Sequence, residues 1–306
     1  VAASFVAGWF LMDPDTFSDF LNSMLAVGGF AANFHFWGES HYFGPAAETL
    51  PLLHTWSLAV EEHFYIFFPL VFMWIRSFRH IVWLLVVTAI VSFVSCVWTV
   101  QIHAPTAFFL SPFRFWELLI GAFCALWIAE KGFPRPGKFT GALLGVFGML
   151  AIVFSIVIFD DETLFPSHWA LLPVVGTALI ILFADARGIA GILLTNAPAV
   201  WVGLISYSAY LWHQPVFAYA RIWQGSEPGL TTMWVLSALS LVLGWLSYRF
   251  VEQPFRKQKG GDRSSPSSRK PVAVAGGSLA ATMAIAGFFH TFPAVQQNSY
   301  LAFLIA

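Results

Sequence analysis

Apolar residues run along this chain in blocks of about twenty, separated by short polar turns, and an α-helix needs about that many to cross the hydrocarbon core of a bilayer. Eight blocks are predicted spans: 55–75, 81–100, 107–129, 139–159, 169–184, 199–222, 230–250 and 271–292. Residues 1–12 read as the end of a further helix, a partial N-terminal span. A weaker stretch, 18–36, is interrupted by Asn22, Ser23, Gly28, Gly29 and Asn33. The pattern predicts an all-α fold, a polytopic transmembrane helical bundle, with neither a soluble domain nor an internal repeat.

Basic residues orient the spans, because short cytoplasmic loops are enriched in Lys and Arg. Arg76 and Arg79 follow the first full span; Lys131, Arg135 and Lys138 lie between the third and fourth. Arg187 lies between the fifth and sixth, and "RKQKGGDRSSPSSRK" (256–270) between the seventh and eighth. These are alternate loops and are placed inside. The intervening "QIHAPTA" and "DDETLFPSH" are neutral or acidic and go outside; Arg221, at an outer end, is the exception. This parity makes 18–36 begin and end on one face, so it is expected to be re-entrant or interfacial. Residues 1–255 are then the membrane core and 256–270 a cytoplasmic polar linker. Residues 271–306 form an additional span and the start of an extracytoplasmic tail.

Composition agrees. Hydrophobic residues make up 58% of the 306 positions and charged ones only 10%, against about 25% charged in soluble domains. A net charge of −1 gives no reason to expect nucleic acid as a partner; the lipid bilayer is the expected one. Cys96 and Cys124 lie inside apolar runs and read as small hydrophobes, not a disulfide. Neither a metal nor a resident cofactor is expected.

Ionisable groups inside a span cost roughly 2.5–3.5 kcal/mol each at its centre and persist where they pair or line a wet cavity. Three spans carry them. In "LLHTWSLAVEEHFY" (52–65), Ser57, Glu61 and Tyr65 recur every four residues on one helical face, with Glu62 about 100° away. In "SPFRFWELLIGAFCALW" (111–127), Arg114 and Glu117 are three apart and can pair. In "GLISYSAYLWHQP" (203–215), Ser206, Tyr210 and His213 share a stripe, and Pro215 frees a carbonyl beside His213. Rise per residue puts all three clusters about 9–13 Å below the outer face, so one polar cavity in the outer half of the membrane is expected.

Four segments carry a family resemblance: "PLLHTWSLAVEEHFYIFFPLVF" (51–72), "FRFWELLIGAF" (113–123), "VGLISYSAYLWHQPVF" (202–217) and "LSYRFVEQPFR" (246–256). Together, in this order, they resemble the acyltransferase-3 family of bacterial membrane O-acyltransferases. The resemblance implies transfer of an acyl group, commonly acetyl, from cytoplasmic acyl-coenzyme A to a hydroxyl of a cell-envelope carbohydrate. The acceptor would be a cell-surface polysaccharide or lipid-linked sugar, such as lipopolysaccharide O-antigen or peptidoglycan, and the location the bacterial inner membrane. Full-length members carry a histidine regarded as essential on their first helix and a basic motif before the third. Neither lies in this sequence, so an N-terminally truncated chain is expected, inactive if that histidine is indispensable. Some members continue into an extracytoplasmic SGNH-type domain, here beyond residue 306.

On that resemblance Glu61, Arg114, Glu117 and His213 are the candidate catalytic residues. Glu61 would balance the absent histidine, Arg114 would stabilise an oxyanion or hold the acceptor, and Glu117 would fix the arginine. Trp56, Ser57, Glu62, Ser206 and Tyr210 are candidate substrate contacts. His213, Tyr210 and Ser206 would donate hydrogen bonds to substrate, or one of them would carry the acyl group transiently. Arg249, Arg256 and Lys257, at inner helix ends, would meet coenzyme A phosphates. The competing reading is a proton-coupled exporter, which also buries Glu, His and Arg but usually shows paired repeats.

Overall fold

The computed structural model describes residues 1–39, 44–75, 77–134, 137–160, 162–184, 188–254 and 284. Among them every regular element is helical. The linker 256–270 and nearly all of the predicted span 271–292 lie outside the described residues. Residues group into two compact units, one formed by 1–59 with the chain from 202 onward, the other by Val60–Trp201.

In the first unit, α1 (Ala2–Leu11) turns at Met12 into α2 (Pro14–Gly28). Asp13 caps α2, its Oδ1 accepting from the amides of Asp15 and Thr16 at 3.1 Å, and Pro14 stands at the first helical position. These backbone bonds and one from the Thr16 hydroxyl outweigh the upward push of partial burial, so the Asp13 carboxyl sits below its ordinary range. Phe5, Trp9 and Phe17 lock α1 to α2, their rings 5.6–6.3 Å apart. The stretch 18–36 is not one helix: α2 stops at Gly28, Phe30 takes a positive φ of 55°, and α3 (Ala32–Glu39) begins afresh.

The same unit holds the first turn of α4 (Thr55–Trp74), the larger part of α11 (Ala197–Gln224), and α12 (Leu230–Ser247), which ends in a π-helical turn over Tyr248–Glu252. α11 runs through Pro215 without a break. It meets α12 closely at Gly244, where a Cβ would come within 2.7 Å of Ala209 Cα. Trp212 Nε1 donates to Ser247 Oγ (2.7 Å) and Ser208 Oγ to Glu252 Oε2 (3.1 Å), so the polar groups of this contact are satisfied within it.

The second unit contains the rest of α4 (Thr55–Trp74), then α5 (Phe78–Ile102), α6 (Ala104–Phe109), α7 (Phe115–Lys131), α8 (Lys138–Ile158), α9 (Leu171–Phe183) and α10 (Ile189–Thr195). Phe64, Leu85 and Leu119 form one core cluster; Cys96, Trp116 and Ala170 form another. Both cysteines are free and buried. The predicted span 107–129 is broken: a single 3-10 turn (Ser111–Phe113) separates α6 from α7, because Pro112 cannot donate to a helix and disfavours helical backbone before it. Ser92 on α5 fixes this break, donating to the Pro112 carbonyl (2.6 Å) and accepting from the Trp116 amide (3.1 Å). α8 and α9 touch through their backbones: a Cβ on Gly148 would lie 2.6 Å from the Gly176 carbonyl oxygen, and one on Gly176 2.8 Å from that of Gly148. Such small-residue contacts let helices pack without a hydrophobic driving force.

Three helices, Phe78–Ile102, Phe139–Ile158 and Leu230–Glu252, are long and apolar enough to cross a membrane. A fourth candidate is the pair Ile189–Thr195 and Ala197–Gln224, bent by 61° at its break. Their apolar side chains point outward: Trp98, Ile156 and Trp234 are 71%, 75% and 71% exposed. In water a surface of this kind is a liability; against lipid it is solvated.

Candidate functional site

Polar groups gather in each unit. In the first, a turn at 50–54 feeds α4. Leu53 donates its amide to the Leu50 carbonyl (3.2 Å), and Thr55 its hydroxyl to that of Leu52 (2.6 Å). His54 sits in this turn, only 7% exposed. Tyr210, from the middle of α11, donates its phenol hydrogen to the His54 carbonyl (2.6 Å). Ser57 Oγ lies 2.5 Å from the phenol oxygen and 3.1 Å from the same His54 carbonyl. Next along α11, Gln214 Nε2 donates to the Leu50 carbonyl (3.0 Å). The turn is thus clamped by two side chains of one helix.

His213 Nδ1 lies 2.5 Å from the carbonyl of Tyr210. A carbonyl only accepts, so Nδ1 carries the hydrogen, and in the neutral ring Nε2 keeps its lone pair. The ring of His213 stands edge to face with that of His54, centroids 5.5 Å apart, and tilted against that of Tyr210 at 5.1 Å. His54 Nδ1 has no hydrogen-bond partner among the described residues. Burial, followed by the proximity of His213, pushes His54 from 6.5 down to about 3, so it stays neutral at physiological pH. The arrangement is a pair of imidazoles with one base nitrogen oriented by its own helix and a phenol–hydroxyl pair beside it.

In the second unit, Arg114 and Glu117 pair at 3.0 Å, their side chains 12% and 20% exposed. The guanidinium lies over the rings of Phe108 (5.7 Å) and Phe165 (5.5 Å), which hold it in place without neutralising it. Nearby in the chain, His63 Nδ1 lies 2.7 Å from Ser111 Oγ, and Ser111 is buried. Glu61 and Glu62 are half-buried on α4.

Of the sequence-derived candidates, Ser57, Tyr210 and His213 come together in the first unit, and Arg114 and Glu117 in the second. Trp56 is half-buried. Ser206 shares the stripe of Tyr210 and His213 but bonds elsewhere: it is exposed and donates to the Gly203 carbonyl of its own helix (2.9 Å). Tyr210 and His213, further along the same stripe of α11, are half-buried, whereas Ser206 lies at an exposed level of the helix. Arg249 is exposed and bonds Gln253 Oε1 (2.9 Å); Arg256 and Lys257 lie outside the described residues. Arg221, the basic residue at an outer helix end, is held by Glu48 (2.8 Å) and Glu227 (3.0 Å). The hydrogen bond from Arg221 keeps the Glu227 carboxyl below its ordinary 4.5. His54 and Ser111 were not among the sequence candidates; their partners are far away in the chain and no spacing rule reveals them.

Residues 2–249 match the acyltransferase domain of the acyltransferase-3 family, and the chain belongs to that family. It is similar to the peptidoglycan O-acetyltransferase OatA of Listeria monocytogenes, 26% identical over 76% of this chain and 40% of that protein. It is also similar to the O-acetyltransferase OatA of Staphylococcus aureus, 29% identical over 68% of this chain and 36% of that protein. The match therefore spans about two fifths of these relatives' length. No solved structure matches the chain.

Proposed function

We propose that this protein is a multi-pass O-acyltransferase of the bacterial inner membrane. It moves an acyl group, acetyl in the simplest case, from cytoplasmic acyl-coenzyme A to a hydroxyl of a cell-envelope carbohydrate. Membership of the acyltransferase-3 family supports the reaction class. The single observation that carries the chemistry is the orientation of His213, whose Nδ1–H is tied to Tyr210 and whose Nε2 is thereby left basic.

In this reading Nε2 of His213 takes the proton of the acceptor hydroxyl as its oxygen attacks the acyl carbonyl. The carbon–sulfur bond then breaks, and the departing thiolate of coenzyme A takes up a proton. Tyr210 and Ser57 hold the turn that carries His54, and neutral His54 keeps a second positive charge away from the imidazolium that forms. Arg114, oriented by Glu117, is the type of cation that stabilises a developing oxyanion. Glu61 is the carboxylate that balances the charge of a catalytic histidine, Glu62 and Trp56 are further substrate contacts, and Arg249, Arg256 and Lys257 the basic groups for coenzyme A phosphates. Eight full spans with 18–36 re-entrant or interfacial complete the proposed topology; the break between α2 and α3 supports that reading of 18–36.

The test is incubation of the protein in liposomes with labelled acetyl-coenzyme A inside and a peptidoglycan or polysaccharide fragment outside. Label on the sugar is expected. Solute flux with unmodified sugar would make the protein an exporter.

A further inference from the structure

The first unit contains a cavity of about 180 Å³ that none of the assigned roles uses. Its walls come from α2, α3 and residues 49–52. Thr16, Asp19, Phe20 and Ser23 fall at the i, i+3, i+4, i+7 spacing of one α2 face, and His35, Phe36 and Glu39 share a face of α3. Two helices that only packed together would meet through apolar residues. These two instead turn polar and aromatic groups toward a common space.

We infer that this cavity is the acceptor subsite, shaped for a single neutral sugar ring; the inference rests on the transferase reading. Among the described residues the lining holds two carboxylates, Asp19 and Glu39, and neither Lys nor Arg. It therefore repels the phosphates of the acyl donor and suits the acceptor. Carboxylates accept hydrogen bonds from ring hydroxyls, the Asn22 amide both donates and accepts, and Phe20 and Phe36 offer flat apolar faces for a sugar's C–H groups. The volume is below the ~300–1,000 Å³ of sites for drug-sized ligands, which fits one ring and excludes a chain of them.

The cavity also adjoins the proton-accepting groups through the backbone. Leu50 and Leu52 line it. The Leu50 carbonyl is the one that Gln214 holds, and His54 follows Leu52 by two residues. A sugar seated here lies against one side of the turn whose other members contact Tyr210 and His213.

The test measures binding of N-acetylglucosamine to the protein in lipid nanodiscs by calorimetry, with tetramethylammonium as a competitor. Asp19→Asn and Glu39→Gln are each expected to weaken sugar binding about ten- to a hundredfold, the loss of one charged hydrogen bond. In the transfer assay they should raise the KM for sugar and leave kcat unchanged. Asn22→Leu, which leaves both carboxylates in place, should weaken binding in the same sense. Unchanged sugar affinity in all three variants, or displacement of the sugar by tetramethylammonium, overturns the subsite. If the wild type binds sugar and the variants lose it but no acyl group is transferred, the subsite stands and the transferase reading falls. If transfer proceeds with an unaltered KM in the variants, the subsite falls and the transferase reading stands.

Discussion

The phenol of Tyr210 donates to the main-chain carbonyl of His54 at 2.6 Å, across 156 positions of sequence. That bond fixes a histidine by its backbone and leaves its ring free of the tether. Replacing Tyr210 by Phe removes this donor, while the carbonyl still accepts from the Ser57 hydroxyl (3.1 Å) and amide (3.4 Å). The expected cost is about 0.5–1.5 kcal/mol of stability, read as a lower midpoint of thermal unfolding in detergent. Transfer activity should fall with it, because the turn carrying His54 loosens.

His213→Asn separates orientation from chemistry. The asparagine amide can donate to the Tyr210 carbonyl as Nδ1 does, yet it has no basic nitrogen. A base contributes about 10²–10⁴-fold, so kcat for acyl transfer should drop by that much with KM retained and the unfolding midpoint close to wild type. An unchanged kcat would remove His213 from proton transfer.

How much of this was legible in the chain depends on distance. The Arg114–Glu117 pair and the His213–Tyr210 contact are three residues apart on helices, so helical periodicity brings them together. The role of His54 was not legible, because its partners come from a helix more than a hundred residues later. Ser206 was misjudged for a related reason. Spacing rightly puts it on the side of α11 that carries Tyr210 and His213, but how far along the helix that side is covered is decided by tertiary packing, and at Ser206 it is exposed. Helical blocks at 81–100, 139–159 and 230–250 were legible from length and apolarity and match α5, α8 and α12. The block at 107–129 was read as continuous despite Pro112, because hydropathy is blind to a missing amide hydrogen.

Acid should expose His54. Unfolded, it takes a proton near its ordinary 6.5; folded, burial and then His213 hold it to about 3. The unfolded state thus binds more protons between those values, and stability falls as pH drops through that window. The loss approaches roughly 3 kcal/mol at pH 4, as an upper bound. His54→Gln should therefore show a flatter decline of unfolding midpoint between pH 7 and pH 4 than the wild type.

Breaking the Arg114–Glu117 pair from either side should cost about 3–5 kcal/mol, since it strands a charge that is largely buried. Arg114→Met combined with Glu117→Leu removes both charges and should recover most of that stability. Activity should not return if the guanidinium stabilises the reaction. A double variant that regains transfer would reduce the pair to a structural role.

The contact between Gly148 and Gly176 bears on handling the protein outside its native bilayer. Backbones that touch directly depend little on what surrounds them, so α8 and α9 should stay joined when detergent replaces lipid. That hairpin is the natural rigid reference for labels or antibody fragments, against which movement of the remaining second-unit helices can be measured.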